Sequence, residues 1–564
     1  MNAVRFSYSL GKYHGAVISA LESLAQNNIV VRIWAKDYTV WKPAPDEIVN
    51  RLGWLDAPAE MLPQIPQIRA ILAPLISGGI KDAVLLGMGG SSLAAEVFSE
   101  IFGSSPGYPR LHVLDTTDPA LIAKTAQNLE LKNTIFLVSS KSGTTLEITS
   151  LFHFFFNMAS KKLGNDAGSH FILITDKGSP MVKTAQELSL RHTFLNNPDI
   201  GGRYSALSMP GIVPAAIIGV DVERLLQNAA SAMLREKAQN SPESLDDTGL
   251  ALGATLGTLA QMGRDKFTLI MSTRLASFGI WLEQLIAEST GKEGKGILPV
   301  TGEELSEPGS YGNDRVFVIF QDGAKDNSQK IASLAAAGHP VITIESDDIY
   351  ELGAQMVIWE MATAVAAHIL KINPFDQPDV EAAKKYAHRM IAQYKEKKVL
   401  PLSKTTLLTD QCDVYGNSNG STPAETMKNF LGQARAFDYV CLQVYLSPSA
   451  EIDKALAKLR KTIFVKYGLA VTVGYGPRYL HSTGQLHKGD SGNGLFIQLT
   501  ADDLIDVDIP DCFGSENSTL TFGTLKAAQA QGDWQALIDA GRRVIRFHFR
   551  TNPAAGLKNL AELL

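Results

Sequence analysis

From residue 80 onward, short continuous apolar runs alternate with longer stretches of helical period. The runs at 83–86, 111–114, 134–139 and 171–175 predict strands, and 92–102, 119–129, 145–163 and 180–188 predict helices. These strands are apolar throughout rather than alternating, the mark of strands covered on both faces, so the predicted sheet is parallel with helices on each side. The pattern pauses at Gln239-Asn240-Ser241-Pro242-Glu243-Ser244 and then restarts. Helices at 250–262, 275–289, 329–337 and 353–370 interleave with strands at 267–272, 316–320 and 341–344. Beyond about 400 the text changes again, with strands at 406–408, 440–445, 469–474, 495–499 and 544–548 and helices at 450–461 and 525–541. The expectation is an α/β chain of two doubly wound parallel-sheet domains plus a C-terminal α/β domain. The expected boundaries are a helical and extended preface at 1–60, the first domain at 61–244, the second at 245–399 and the third at 400–564.

Composition narrows the function classes. The chain has 564 residues, 45% hydrophobic and 20% charged, enough for several large cores and far from a disordered composition. A net charge of −6 offers no basic field for nucleic acid. The three cysteines, Cys412, Cys441 and Cys512, form no CxxC pair, which argues against a disulfide framework or a zinc site and fits a cytoplasmic setting. The N-terminus lacks the compact apolar core of a signal peptide, and the run 211–220 is too short to cross a membrane, so it predicts a buried helix.

Five motifs carry candidate chemistry. Ser139-Ser140-Lys141-Ser142-Gly143-Thr144-Thr145 follows a buried strand and opens a helix. Ligands of doubly wound sheets bind at that strand end, where the helix N-terminus and several hydroxyls suit a phosphate; a plain helix cap needs only one hydroxyl. Gly87-Met88-Gly89-Gly90-Ser91 lets backbone approach a ligand closely, although by itself it also reads as a tight turn. Gly201-Gly202-Arg203-Tyr204-Ser205 presents a guanidinium that does not titrate. Gln284 and Glu288 lie one helical turn apart and share a face, with Glu288 at the helix end where a carboxylate is locally unfavourable. Phe375-Asp376-Gln377-Pro378-Asp379-Val380-Glu381-Ala382-Ala383-Lys384 ends one helix and starts another.

In this order the five strings resemble the glucose-6-phosphate isomerase family, built from two SIS (sugar isomerase) domains. The resemblance covers roughly 60–390. It rests on Gly87–Ser91, on Ser140–Thr145, on Gly201–Ser205, on Gln284–Lys292 with its Gln-x-x-x-Glu-Ser-x-Gly-Lys signature, and on Phe375–Lys384. The text as a whole, C-terminal unit included, is most similar to the isomerase half of bacterial transaldolase–phosphoglucose isomerase fusions, with no room here for a transaldolase barrel.

The resemblance implies reversible aldose–ketose isomerisation of glucose 6-phosphate and fructose 6-phosphate through an enediol. It implies Glu288 as the base, Arg203 as the positive charge beside the enediolate and Lys384 as a ring-opening residue. Ser140, Ser142 and Thr145 stand as phosphate ligands with Lys141 assisting, Gln284 positions the substrate, and Gly89, Gly90 and Ser91 line the site. No metal or cofactor is implied, and a homodimer is. The chain departs from the family at one point: Asp314, in Gly309-Ser310-Tyr311-Gly312-Asn313-Asp314, stands where a ring-opening histidine is expected. The predicted loop Leu480-His481-Ser482-Thr483-Gly484-Gln485-Leu486-His487 echoes the missing string, and His487 is carried as the catalytic histidine with His481 and Asp314 left open. A dual phosphoglucose/phosphomannose isomerase and a non-catalytic sugar-phosphate sensor are the alternative functions.

Overall fold

The computed structural model describes residues 4–238, 245–321, 327–400 and 405–564, so the polar stretch 239–244 lies outside the described residues. The first sheet has five parallel strands in the order Arg110–Leu114, Asp82–Leu86, Thr134–Ser140, Phe171–Asp176 and His192–Asn196. Asp82–Leu86, Thr134–Ser140 and Phe171–Asp176 are buried at every position, as their unbroken apolar runs require of strands covered on both faces. His192–Asn196 escapes an apolar-run criterion because it is half polar and sits at the sheet edge.

The second sheet runs Val4–Ser9, Val341–Ser346, Arg315–Gln321, Lys266–Ile270 and Leu298–Val300. All its pairings are parallel except the first, where Val4 faces Ser346 and Ser9 faces Val341 in antiparallel register. This corrects the expectation of a separate preface at 1–60. Its first strand closes the edge of a sheet whose adjoining strand comes far along the chain, and Val17, Trp41 and Trp54 belong to the same core as both sheet domains. The helix Leu352–Leu370 is apolar on nearly every face and is correspondingly buried against the helices Val222–Ala238 and Gly249–Gln261. By length and composition it could cross a membrane, but 89% of its most apolar stretch is buried within the protein. Gly249, Gly253 and Gly257, spaced four apart, bring two helix backbones together: a Cβ on Gly253 would lie 2.4 Å from the Ala362 carbonyl oxygen.

The C-terminal domain is a six-stranded sheet in the order Thr405–Leu407, Cys412–Gly416, Arg543–Phe549, Gly494–Ala501, Tyr439–Tyr445 and Ala470–Tyr475. The last four are parallel to one another and the first two join antiparallel. Helices Ala450–Tyr467 and Phe522–Asp539 match expectation, whereas Pro423–Leu431 and Pro553–Leu563 are additional. The segment expected as a loop around 480–489 is a 3-10 turn, Arg478–His481, followed by a short helix, Gly484–Gly489, buried at all of its 6 positions. That helix wedges against the end of the helix Ala276–Thr290. A Cβ on Gly291 would sit 2.3 Å from the Leu486 Cα, and one on Gly489 would sit 2.3 Å from the Gly291 carbonyl oxygen. Only backbone without side chains allows this approach.

Candidate active site

The carboxyl ends of the first sheet's strands open into a cleft of about 760 Å³. On one wall the turn after Ser140 leads into the helix Leu146–Leu163, and Ser142, Thr144 and Thr145 line the cleft. Thr145 holds the N-cap position, yet its side chain makes no capping bond, so the hydroxyl and the first-turn N–H groups remain available to an anion. Ser140 behaves differently: it is buried, stays outside the cleft, and its Oγ accepts a hydrogen bond from the Gly143 N–H at 3.1 Å. It shapes the turn that Gly143, at φ +71°, completes. Lys141 reaches across to Asp176 and donates to the Pro198 carbonyl at 2.8 Å, so it is braced within the wall.

Gly89, Gly90 and Ser91 also line the cleft. Gly90 passes so near the second glycine motif that a Cβ would lie 2.1 Å from the Gly202 carbonyl oxygen, and Ser205 Oγ donates to the Gly90 carbonyl at 3.2 Å. The two glycine strings are therefore one close backbone contact, which presents Arg203 at the cleft floor. Arg203 Nη1 lies 2.8 Å from Glu288 Oε1, and both side chains are buried to better than nine-tenths. The guanidinium is further fixed by the Pro374 carbonyl at 3.0 Å and the Asp376 carbonyl at 2.8 Å. Gln284, one turn before Glu288, donates to Glu288 Oε2 at 3.1 Å and to the His481 carbonyl at 2.8 Å.

His481 enters from the C-terminal domain. Its Nε2 is 2.9 Å from Glu147 Oε1, and the same carboxylate accepts from Gln529 Nε2 at 2.6 Å. Burial pushes the Glu147 carboxyl up, but the His481 charge and hydrogen bond outweigh it and hold Glu147 below the ordinary value. An ionised carboxylate only accepts, so His481 Nε2 is the donor in this contact. Lys384 projects from the helix Val380–Lys397 at the cleft wall, with Glu381 Oε1 3.0 Å away and its side chain 44% exposed.

The phosphoglucose isomerase family model matches residues 72–325. The glucose-6-phosphate isomerase of Acholeplasma laidlawii is 28% identical over 390 residues, 61% of this chain and 90% of that one. The glucose-6-phosphate isomerase of Rubrobacter xylanophilus is 29% identical over 368 residues, covering 55% of this chain and 83% of that one. In fold, the chain is similar to the crystal structure of a glucose-6-phosphate isomerase from Chlamydia trachomatis, with a TM-score of 0.58 at 21% identity over 70% of this chain and 90% of that one.

The cleft gathers Glu288, Arg203, Lys384, Gln284, Lys141, Ser142, Thr145 and the Gly89–Ser91 turn. It does not gather His487. That expectation is corrected: His487 is wholly buried in the C-terminal domain, with Cys441 Sγ 3.5 Å away and its ring tilted against Phe496. Burial, with Lys488 and Arg542 nearby, keeps it neutral, its pKa well below the usual histidine value. Asp314 is likewise away from the cleft, buried 3.7 Å from Lys266 at the amino end of the second sheet's central strand, Arg315–Gln321. Sequence reasoning missed Glu147, Gln529 and Lys488, which also line the cleft. Glu147 adjoins the Ser140–Thr145 turn and could have been found as a buried acid in the first turn of a helix. Gln529 and Lys488 carry no local signal. Lys292, at the end of the Gln284–Lys292 signature, is buried beneath the site. Burial, helped by the Arg203 charge, pushes its ammonium down to about 8, and its Nζ donates to Asp376 Oδ1 at 2.7 Å.

Proposed function

We propose that this chain interconverts glucose 6-phosphate and fructose 6-phosphate through an enediol. The observation that carries the reading is that a hydroxyl-lined helix N-terminus and the Arg203–Glu288 pair, at 2.8 Å, face one cleft of about 760 Å³. Moving a proton between C1 and C2 needs one base that removes it and returns it, and Glu288 is the carboxylate assigned that work. Arg203 is held by three carbonyl and carboxylate partners, so its charge is in place before an enediolate develops and need not reorganise. Ser142, Thr144, Thr145 and the first N–H groups of the helix Leu146–Leu163 would grip the phosphate, whose binding energy positions the remote reacting carbons.

Ring opening needs an acid and a base at the sugar's ring oxygen and anomeric hydroxyl. Lys384 and His481 are the pair we assign, with His481 taking the place first given to His487. Glu147 and Gln529 orient His481, and all four residues come from one chain. A homodimer is part of the reading, tested by sedimentation. So is the finer likeness to the isomerase half of transaldolase–isomerase fusions, which the folded unit at 405–564 supports. The deciding experiment is a dehydrogenase-coupled assay on fructose 6-phosphate, with mannose 6-phosphate run in parallel. Glucose 6-phosphate production that disappears in Glu288→Gln is the expected result; unaltered turnover in that variant removes Glu288 as the base.

A further inference from the structure

Each parallel sheet has one place where the chain reverses its direction of winding, and a crevice forms at the carboxyl ends of the strands there. In the first sheet this place lies between Asp82–Leu86 and Thr134–Ser140, and it opens into the cleft already described. In the second sheet it lies between Lys266–Ile270 and Arg315–Gln321. A smaller pocket of about 70 Å³ opens at that point, between the turn after Ile270 and the ends of the strands Arg315–Gln321 and Val341–Ser346.

Three features of this pocket point to a ligand. Gln355 lines it and is only 4% exposed, and its Oε1 accepts from Trp359 Nε1 at 3.1 Å. That bond fixes the amide so that Nε2 is the free end, and Nε2 is buried without a partner. A buried donor left unpaired costs free energy that an acceptor entering the pocket would recover. Arg274 stands at the mouth, exposed, with no hydrogen bond or ion pair among the described residues. The helix Ala276–Thr290 begins beside it and has no side-chain cap, so its positive end faces the same opening. The two carboxylates on the rim are already matched, Asp347 by Arg5 at 3.4 Å and Asp348 by Arg224. Phe278 and Phe320 form an apolar wall.

We propose that this pocket binds a small carboxylate, its oxygens taken by Arg274 and by Gln355 Nε2 and its short apolar tail lying against Phe278 and Phe320. At roughly one water-sized sphere per 10–15 Å³, the pocket holds on the order of five or six non-hydrogen atoms, too few for a sugar phosphate. The helix that starts at the pocket carries Gln284 and Glu288 in its last turns, roughly 15 Å along its axis at 1.5 Å per residue, so an occupant bears on the same rigid element as the isomerase site.

The test is calorimetric titration of the full chain with propionate and, separately, with inorganic phosphate. One saturable propionate site per chain is expected, weakened about 10-fold or more in Arg274→Ala and in Gln355→Leu and unchanged in Glu288→Gln. Arg274 is exposed, so its variant reports on the site even if Gln355→Leu fails to fold. No saturable propionate binding, binding that survives Arg274→Ala, or a preference for phosphate that Glu288→Gln or Ser142→Ala abolishes would each overturn the proposal.

Discussion

The two-sheet body and the C-terminal domain both present residues to the main cleft, but they hold them in different ways. The body uses backbone: turns at strand ends, a helix N-terminus, and the approach of Gly90 to Gly202, where an added Cβ would lie 2.1 Å from a carbonyl oxygen. The C-terminal domain uses buried polar side chains. Lys488 is 2.5 Å from Asp533, both essentially inaccessible, and Asp533 also accepts from Tyr479 Oη at 2.7 Å. Gln485 ties the domain to the body by donating to the Gly291 carbonyl at 3.0 Å and accepting from the Asp379 N–H at 2.9 Å. Arg478 reaches Asp115 at 2.9 Å beneath the same interface. Backbone sites tolerate exposure because their geometry is set by the chain itself. A buried ionic network is rigid only while every member is satisfied.

The largest expected effect separates chemistry from both kinds of support. Glu288→Gln should lower kcat/KM by about 10³-fold in the coupled assay. Next comes the network of the C-terminal domain. Asp533→Ala leaves Lys488 charged and unpaired in the interior and should cost about 3–5 kcal/mol in denaturant unfolding. A loss below about 1 kcal/mol would erase the contrast drawn between the two regions. The histidines sharpen it further. His481→Ala should reduce turnover of ring-closed substrate about 10²-fold. His487→Asn should leave turnover close to wild type, since its ring is wholly buried away from the cleft. The reverse ranking would return the role to His487. The smallest effect is a pH limb. Lys292 is charged below about 8, so the positive field beside Arg203 and Glu288 weakens as pH rises through that value. Wild-type kcat/KM should then fall a few-fold, and Lys292→Arg, which keeps its charge, should flatten the decline.

The motifs of the body were legible because each is local. A buried strand, a glycine turn and a helix start within ten residues specify their own geometry, which marked Ser142 and Thr145, while Arg203, Gln284 and Glu288 were named through the motifs of the family the chain resembles. Val4–Ser9 was not legible as part of the second sheet, because its pairing with Val341–Ser346 depends on an adjoining strand hundreds of residues later. Nor were Cys412–Gly416 and His192–Asn196, short strands whose mixed polarity carries little periodicity. His481 and His487 looked equivalent in the sequence. They are six positions apart on a segment that turns sharply between them. One ring meets Glu147 at 2.9 Å while the other packs against Phe496.

Sequence alone determined the class of fold, the two winding units and the hydroxyl-rich turn at 140–145 that opens a helix, since apolar period and turn chemistry act over a few residues; Arg203 and Glu288 were named through the family resemblance. Only the tertiary structure decided which histidine enters the cleft, that Ser140 and Asp314 stay out of it, and that Glu147, Gln529 and Lys488 join it. The entry of His481, Gln529 and Lys488 follows from how one domain seats on another, whereas Ser140 is held out by its own turn. The seating is governed by glycine clearances at Gly291 and Gly489 and by buried pairs whose partners lie far apart along the chain.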